Sequence, residues 1–249
     1  MKRYFIEVAY DGADFGGFQI QANQKTIQGA LENAMNILFR ENISLTGASR
    51  TDAGVHALQN FLHFDTSIPI TSKHIYNLNS LLPSSIVVNN IYAVPNEAHC
   101  RFDAVKRSYI NKIHAKKSPF LEGRSWFYPF PVDIIALQSA ADTLLHHTDF
   151  ESFSKKNTTV NTFDCNITKA KWEQVGDILT FSIDSNRFLR GMIRGLVGTM
   201  LHCGRGQQNT ADFIRIIASK NEQNVDFSTP AHGLYLSEII YPDYFQKIG

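Results

Sequence analysis

The sequence predicts an α+β protein: two ferredoxin-like halves, each ordered βαββαβ, sharing one broad, mostly antiparallel sheet with helices on one face. Three observations predict it. An order of β-rich and helix-patterned stretches in the first part of the chain repeats in the second. Clusters of glycine, aspartate and proline punctuate the joins. The 249 residues are 43% hydrophobic and 12% aromatic, enough for a substantial core without disulfide staples.

The first half is expected over 1–103. RYFIEVA (3–9) reads as a strand and YDGADFGG as a turn region. Thr26 caps a predicted helix whose apolar positions Ile27, Ala30, Leu31, Ala34, Met35 and Leu38 share a face. ISLTGA (43–48) and QNFLHFDT (59–66) read as strands, residues 72–82 as a helix ended by Pro83, and IVVNNIYAV (86–94) as a strand. The second half is expected over 104–249. It runs through a strand at 107–115, a helix following Pro131 and Asp133, a hairpin of 166–175 with 177–185, helices at 187–203 and 211–219, and a last strand at 234–241. Such an architecture leaves the other sheet face, and the groove between halves, for a ligand. RNA-recognition modules use a bare sheet in this way.

Composition narrows the function classes. Cys100, Cys165 and Cys203 are odd in number, far apart and without a C-x-x-C pair, so they suggest neither a disulfide framework nor a structural zinc site. Glu7 interrupts the N-terminal apolar stretch where a signal peptide would continue, and FLRGMIRGLVGTML carries Arg190 and Arg194. The expectation is a cytoplasmic protein with no membrane segment. Net charge is only +1, but 101–124 holds seven Lys or Arg against two acids, and 187–205 holds four arginines and no acid. Local basic patches on a near-neutral chain suit a placed anionic ligand, or a solvated face balanced elsewhere.

The stretch ASRTDAGVHA (48–57) concentrates polar chemistry between two apolar runs. Four readings compete. Asp52 is a turn residue, with Gly54 at positive φ. Asp52, His56, His63 and Asp65 ligate a metal. Ser49, Asp52 and His56 form a hydrolytic triad. Or Asp52 acts alone as nucleophile or base, with arginines as anion clamps. The metal spacing recurs by chance, and triad members normally come from separate elements, so the turn and lone-aspartate readings stand ahead.

ASRTDAGVHA resembles the G-R-T-D-A-G-V-H-A signature of the TruA family of tRNA pseudouridine synthases. Four further blocks agree in order: YDGADFGGFQIQ, AHCRFDAVKRSYIN, FLRGMIRGLVGTM and AHGLYLSEIIY. Together they span Tyr10 to Tyr241. Ser49 stands in place of the leading glycine, Phe18 in place of a tryptophan, and Ile193 in place of a valine.

The resemblance implies isomerisation of uridine to pseudouridine at nucleotides 38, 39 and 40 of the tRNA anticodon arm, by a homodimer, with neither cofactor nor metal. It implies that Asp52 is the catalytic aspartate and that Arg194 pairs with it. It makes Arg50 the base-flipping residue, Tyr109 the ring that stacks on the flipped uracil, and Leu234 an apolar wall of the pocket. His99, Arg101 and Phe102 lie in a segment similar to one that contacts tRNA. Lys106, Arg107, Lys112, Lys116 and Lys117 extend the basic character, and KKNTTVNT (155–162) is similar to a tRNA-facing loop. Gly191, Gly195 and Gly198 are expected to let their helix approach the sheet closely. His56 has no assigned role beyond structure. The rival class is a non-catalytic RNA-binding protein of two RRM-like halves. It lacks the aromatic signature of that module and leaves Asp52 beside Arg50 unexplained.

Overall fold

The computed structural model describes residues 1–155, 162–243 and 245–247. The expected tRNA-facing loop at 155–162 falls mostly outside these residues. The chain forms two compact units, Met1–Val105 with Tyr235–Gly249, and Lys106–Leu234.

In the first unit, β1 (Lys2–Tyr10) is the central strand. Helix α1 (Ile27–Phe39), the two-residue β2 (Thr46–Gly47), β3 (His56–Thr66), α2 (Ser72–Leu81) and β4 (Ile86–Val94) follow. β1 pairs antiparallel with β3, Arg3 opposite Asp65 and Val8 opposite Asn60, and antiparallel with β4 on its other side. The second unit carries β5 (Lys106–His114), β6 (Trp126–Phe127), α3 (Ile134–Thr143), β7 (Ile167–Val175), β8 (Ile178–Ser185), α4 (Met192–Gly204) and α5 (Thr210–Ala218). There β8 lies between β5 and β7, antiparallel to both, and β6 pairs parallel with β5. The chain then enters β9 (Leu234–Ile240), which joins the first unit's sheet parallel to β3, with His56 opposite Tyr235. A short β10 (Gln246–Lys247) pairs with β4. Among the described residues, no helix is long and apolar enough to cross a membrane.

Local chemistry explains most elements. Thr26 Oγ1 accepts the Gly29 N–H at 3.2 Å, the expected cap, and Ile27, Leu31, Ala34 and Met35 of α1 are buried. Full burial of Ile27, Leu31 and Met35 contributes roughly 1.5–3 kcal/mol for each side chain. Asp133 caps α3 by accepting the Ile135 N–H. Residues of β1 alternate: Tyr4 stacks on Phe64, which meets Phe39 of α1, whereas Phe5 faces the opposite side.

Four expectations change. The stretch 43–48 forms only two strand residues, because side chains of α1 take its backbone groups. Asn36 Oδ1 accepts the Ile43 N–H at 2.7 Å, Glu32 Oε1 accepts the Leu45 N–H at 2.9 Å, and Gln28 Nε2 donates to the Leu45 carbonyl at 2.9 Å. Helix α4 starts at Met192 rather than Arg187, since Gly191 takes a left-handed φ of 75° at its N-cap. Gly195 and Gly198 of α4 give clearance to the segment 225–229, not to a sheet: a Cβ on Gly195 would lie 2.8 Å from Val225 and Phe227, and one on Gly198 would collide with the Asp226 carbonyl. Finally, the second face of the first unit's sheet is not bare. Phe5, Phe61 and Tyr92 meet Phe245, and Phe5 and Phe61 also meet Tyr241, in edge and stacked contacts of 5.0–5.8 Å.

Candidate active site

The stretch 48–55 leaves its short pairing with the sheet and is held from beneath by the residues of YDGADFGGF. Ala48 N–H donates to the Phe61 carbonyl at 2.8 Å, and Phe18 N–H donates to the Thr51 carbonyl at 3.0 Å. The Thr51 and Tyr10 hydroxyls lie 2.8 Å apart in a buried contact. Asn60, fully buried, donates from Nδ2 to the Ser49 carbonyl at 3.0 Å and to the Tyr10 hydroxyl at 3.2 Å. Burial therefore alternates along the loop. Ser49 and Thr51 are buried, while Arg50 and Asp52 are exposed. Thr51 is held inward by its hydroxyl and Ser49 by its backbone carbonyl, while the side chains of Arg50 and Asp52 stay in solvent.

After Asp52 the loop turns tightly. Val55 N–H donates to the Asp52 carbonyl at 3.1 Å, and Gly54 has φ 78°, as the turn reading requires. A Cβ on Gly12 would collide with the Val55 carbonyl, so the YDG turn packs directly on the loop's end. His56 completes the frame. Its Nδ1 lies 3.1 Å from the Gly12 N–H and 3.0 Å from Asp11 Oδ1, and its ring stacks on Tyr235 at 4.7 Å. A neutral Nδ1 accepts the Gly12 N–H; a protonated one donates to Asp11.

The metal and triad readings lose their geometry here. Asp65 forms a bidentate pair with Arg3, both bonds 2.8 Å, and hydrogen bonding to that guanidinium holds its carboxyl below the usual range. Ser49 is buried, while Asp52 is exposed. The ligand-type side chains that do converge, among the described residues, are His63, His99 and Cys100. Burial, reinforced by Arg3 and His99, pushes His63 down to about 4.

Beside the loop lies a cavity of about 190 Å³ lined by Phe18, Gln19, Thr46, Gly47, Arg50, His99, Arg101 and Phe102, with Gln28 and Leu45. It gathers four of the sequence-predicted substrate residues. Phe102 is 73% exposed, its ring 4.2 Å from that of His99, with the Arg101 guanidinium 5.7 Å from the same ring. Asp103 fixes the turn by accepting the His99 N–H at 2.7 Å. Phe18 fills the floor, 1% exposed, and a Cβ on Gly47 would collide with its ring. Gly47 and Gln19 were not singled out from sequence; Gly47 carries a signal only once Phe18 is known to lie against it.

The remaining predicted residues belong to the second unit. Tyr109, on β5, is 8% exposed, and its ring meets Phe188 edge-on at 5.2 Å. Arg194, in the first turn of α4, is half-buried, and its Nε donates to the Thr229 carbonyl at 2.6 Å. Leu234 opens β9 and is buried. The basic cluster is partly committed to neighbours. Arg107 is buried and donates to the Asn186 carbonyl at 2.8 Å, while Lys106 pairs with Asp184 and Lys116 with Asp177.

Comparison with known proteins gives the family. The tRNA pseudouridine synthase family model matches residues 7–103 and 140–242. A tRNA pseudouridine synthase A of Parabacteroides distasonis is 42% identical over 245 residues, covering 98% of this chain and 97% of that protein. The protein of the same name from Azobacteroides pseudotrichonymphae is 40% identical over 248 residues, covering 99% of this chain and all of its own length. One from Staphylococcus aureus is 35% identical over 240 residues, covering 95% of this chain and 91% of that protein. With matches running almost end to end, the chain belongs to the tRNA pseudouridine synthase family, and is an isomerase acting on uridine in tRNA.

Proposed function

We propose that this chain isomerises uridine to pseudouridine at positions 38, 39 and 40 of the tRNA anticodon stem-loop, with Asp52 as the nucleophile or base on a flipped-out uridine. The observation that carries the assignment is the alternation along 49–52, which turns Asp52 and Arg50 out of a loop whose Ser49 and Thr51 are held inside.

The reaction breaks the C–N bond between uracil and ribose, rotates the base and forms a C–C bond. Atoms and electrons balance within the substrate, so the chemistry requires neither a redox partner nor a hydrolytic water. An exposed carboxylate on a rigid loop can attack C1′ or C6, or take the C2′ proton. A uridine in a stem reaches Asp52 only after leaving the stack, which costs a few kcal/mol. Arg50, two residues before Asp52 and likewise exposed, is read as the group that fills the vacated space.

His99, Arg101 and Phe102 are read as contacts to the RNA backbone and an unstacked base, since a cavity edged by an arginine and an exposed ring suits phosphate and base together. Tyr109 as the stacking ring, Arg194 as the cation assigned to the Asp52 carboxylate, and Leu234 as an apolar wall rest on the family resemblance. So does a homodimer, whereas two ferredoxin-like halves and a cytoplasmic location are readings of the sequence itself.

The test is to map pseudouridine in tRNA from a strain lacking this protein, complemented with wild type or Asp52→Ala. The modification at 38–40 should vanish, return with wild type and stay absent with the variant, whose tRNA binding persists. Restoration by Asp52→Ala, or no loss in the deletion strain, would overturn the proposal.

A further inference from the structure

We infer that His63, His99 and Cys100 form a binding site for a borderline-soft divalent cation of the Zn²⁺ class. Each offers one ligand atom, and all three atoms lie within 4.8 Å of one another. Cys100 Sγ is 3.2 Å from His63 Nδ1, and the His63 and His99 rings meet edge-on at 4.6 Å. With bonds of about 2.0–2.3 Å to a tetrahedral zinc, ligand atoms sit roughly 3.3–3.8 Å apart. One pair is therefore already close to the required spacing, and the widest closes by about an ångström through a shift of His99.

Two nitrogens and one sulfur match the preference of this ion class and leave a fourth position for water. His99 also lines the cavity, which gives an ion an entry path. The surroundings hold the ligands in place. The Tyr241 hydroxyl donates to the Cys100 carbonyl and Asp103 accepts the His99 N–H, while the bond of 3.0 Å from the Cys100 thiol to the Thr46 carbonyl is given up when the thiol loses its proton. The nearby Arg3 guanidinium is offset by its bidentate pair with Asp65.

Binding releases the thiol proton to solvent and leaves a metal thiolate: M²⁺ and Cys–SH give M–S–Cys and H⁺. The ion competes with backbone donors, since Arg101 N–H lies 3.1 Å from His99 Nδ1 and Cys100 N–H lies 3.4 Å from His63 Nδ1. That competition suits reversible occupancy rather than a structural centre. Re-seating His99 would also move the ring beneath Phe102, so an occupied site should weaken tRNA binding. This consequence rests on the proposed RNA role of the cavity; the site itself does not.

The probe is Co²⁺ titrated into purified full-length protein. Wild type should develop a thiolate-to-cobalt charge-transfer band with one ion bound, and excess Zn²⁺ should abolish it. Cys100→Ser should lose the band, and His63→Gln should raise the Kd for cobalt roughly tenfold or more. If Cys100→Ser does not fold, His63→Gln decides alone. A wild type without the band, or a band and affinity unchanged in these variants, overturns the site. If cobalt binds as expected but Zn²⁺ leaves tRNA affinity unaltered, the coupling to the cavity is wrong and the metal site stands.

Discussion

The hydroxyls of Tyr10 and Thr51 lie 2.8 Å apart, both side chains buried, and this contact ties the central strand to the loop that carries Asp52. Asn60 donates to the same Tyr10 oxygen at 3.2 Å. Tyr10→Phe would leave the Thr51 hydroxyl without this partner in a dry setting, a cost of about 1–3 kcal/mol. Urea unfolding should show that loss. Turnover should fall more than tRNA affinity, because the aspartate's support is loosened and not the RNA contacts. Wild-type values for both would remove Tyr10 from the frame.

Glu32 substitutes for a neighbouring strand. Its Oε1 accepts the Leu45 N–H and the Gln28 side-chain amide at 2.9 and 3.1 Å. Glu32→Ala should destabilise the first unit by roughly 1–3 kcal/mol, with Glu32→Gln losing less because an acceptor remains. Amide exchange at Leu45 should accelerate in the alanine variant. Unchanged protection there would show that the backbone is held by other means.

Arg50 and Arg101 line the same cavity but should fail differently. Arg101→Ala should weaken tRNA binding and reduce the slope of log affinity against log salt by about one. Arg50→Ala should bind tRNA nearly as wild type and turn over slowly, because flipping rather than docking is impaired. Identical salt slopes for wild type and Arg101→Ala would rule out its phosphate contact.

Acid should destabilise the protein through His63. Its folded-state value, about 4 against an ordinary 6.5, is held down first by burial and then by Arg3 and His99. Between these values the unfolded chain binds the proton more readily than the folded one. The stabilising contribution is therefore complete above 6.5 and is lost as pH falls toward 4. Melting temperatures measured across that window should drop for wild type and drop less for His63→Gln. Parallel curves would place the acid sensitivity elsewhere.

Much of this was legible locally. The strand at 86–94 and the caps at Thr26 and Asp133 follow from short-range periodicity and side-chain chemistry, which a dozen or so residues contain. The motif blocks located Asp52 and Arg50 for the same reason: their spacing is contiguous. Other features depend on partners distant in the chain. The shortening of 43–48 depends on helix side chains that happen to face it, and β9 reaches β3 only through the parallel register of His56 with Tyr235. The outward turn of Asp52 needs Tyr10 and Asn60 beneath the loop, and the convergence of His63 with Cys100 needs two segments 37 residues apart. Sequence by itself determined most of the elements and the family, and proposed the reacting residues. Tertiary structure decided which of their side chains meet, because register and long-range packing choose partners that local pattern does not encode.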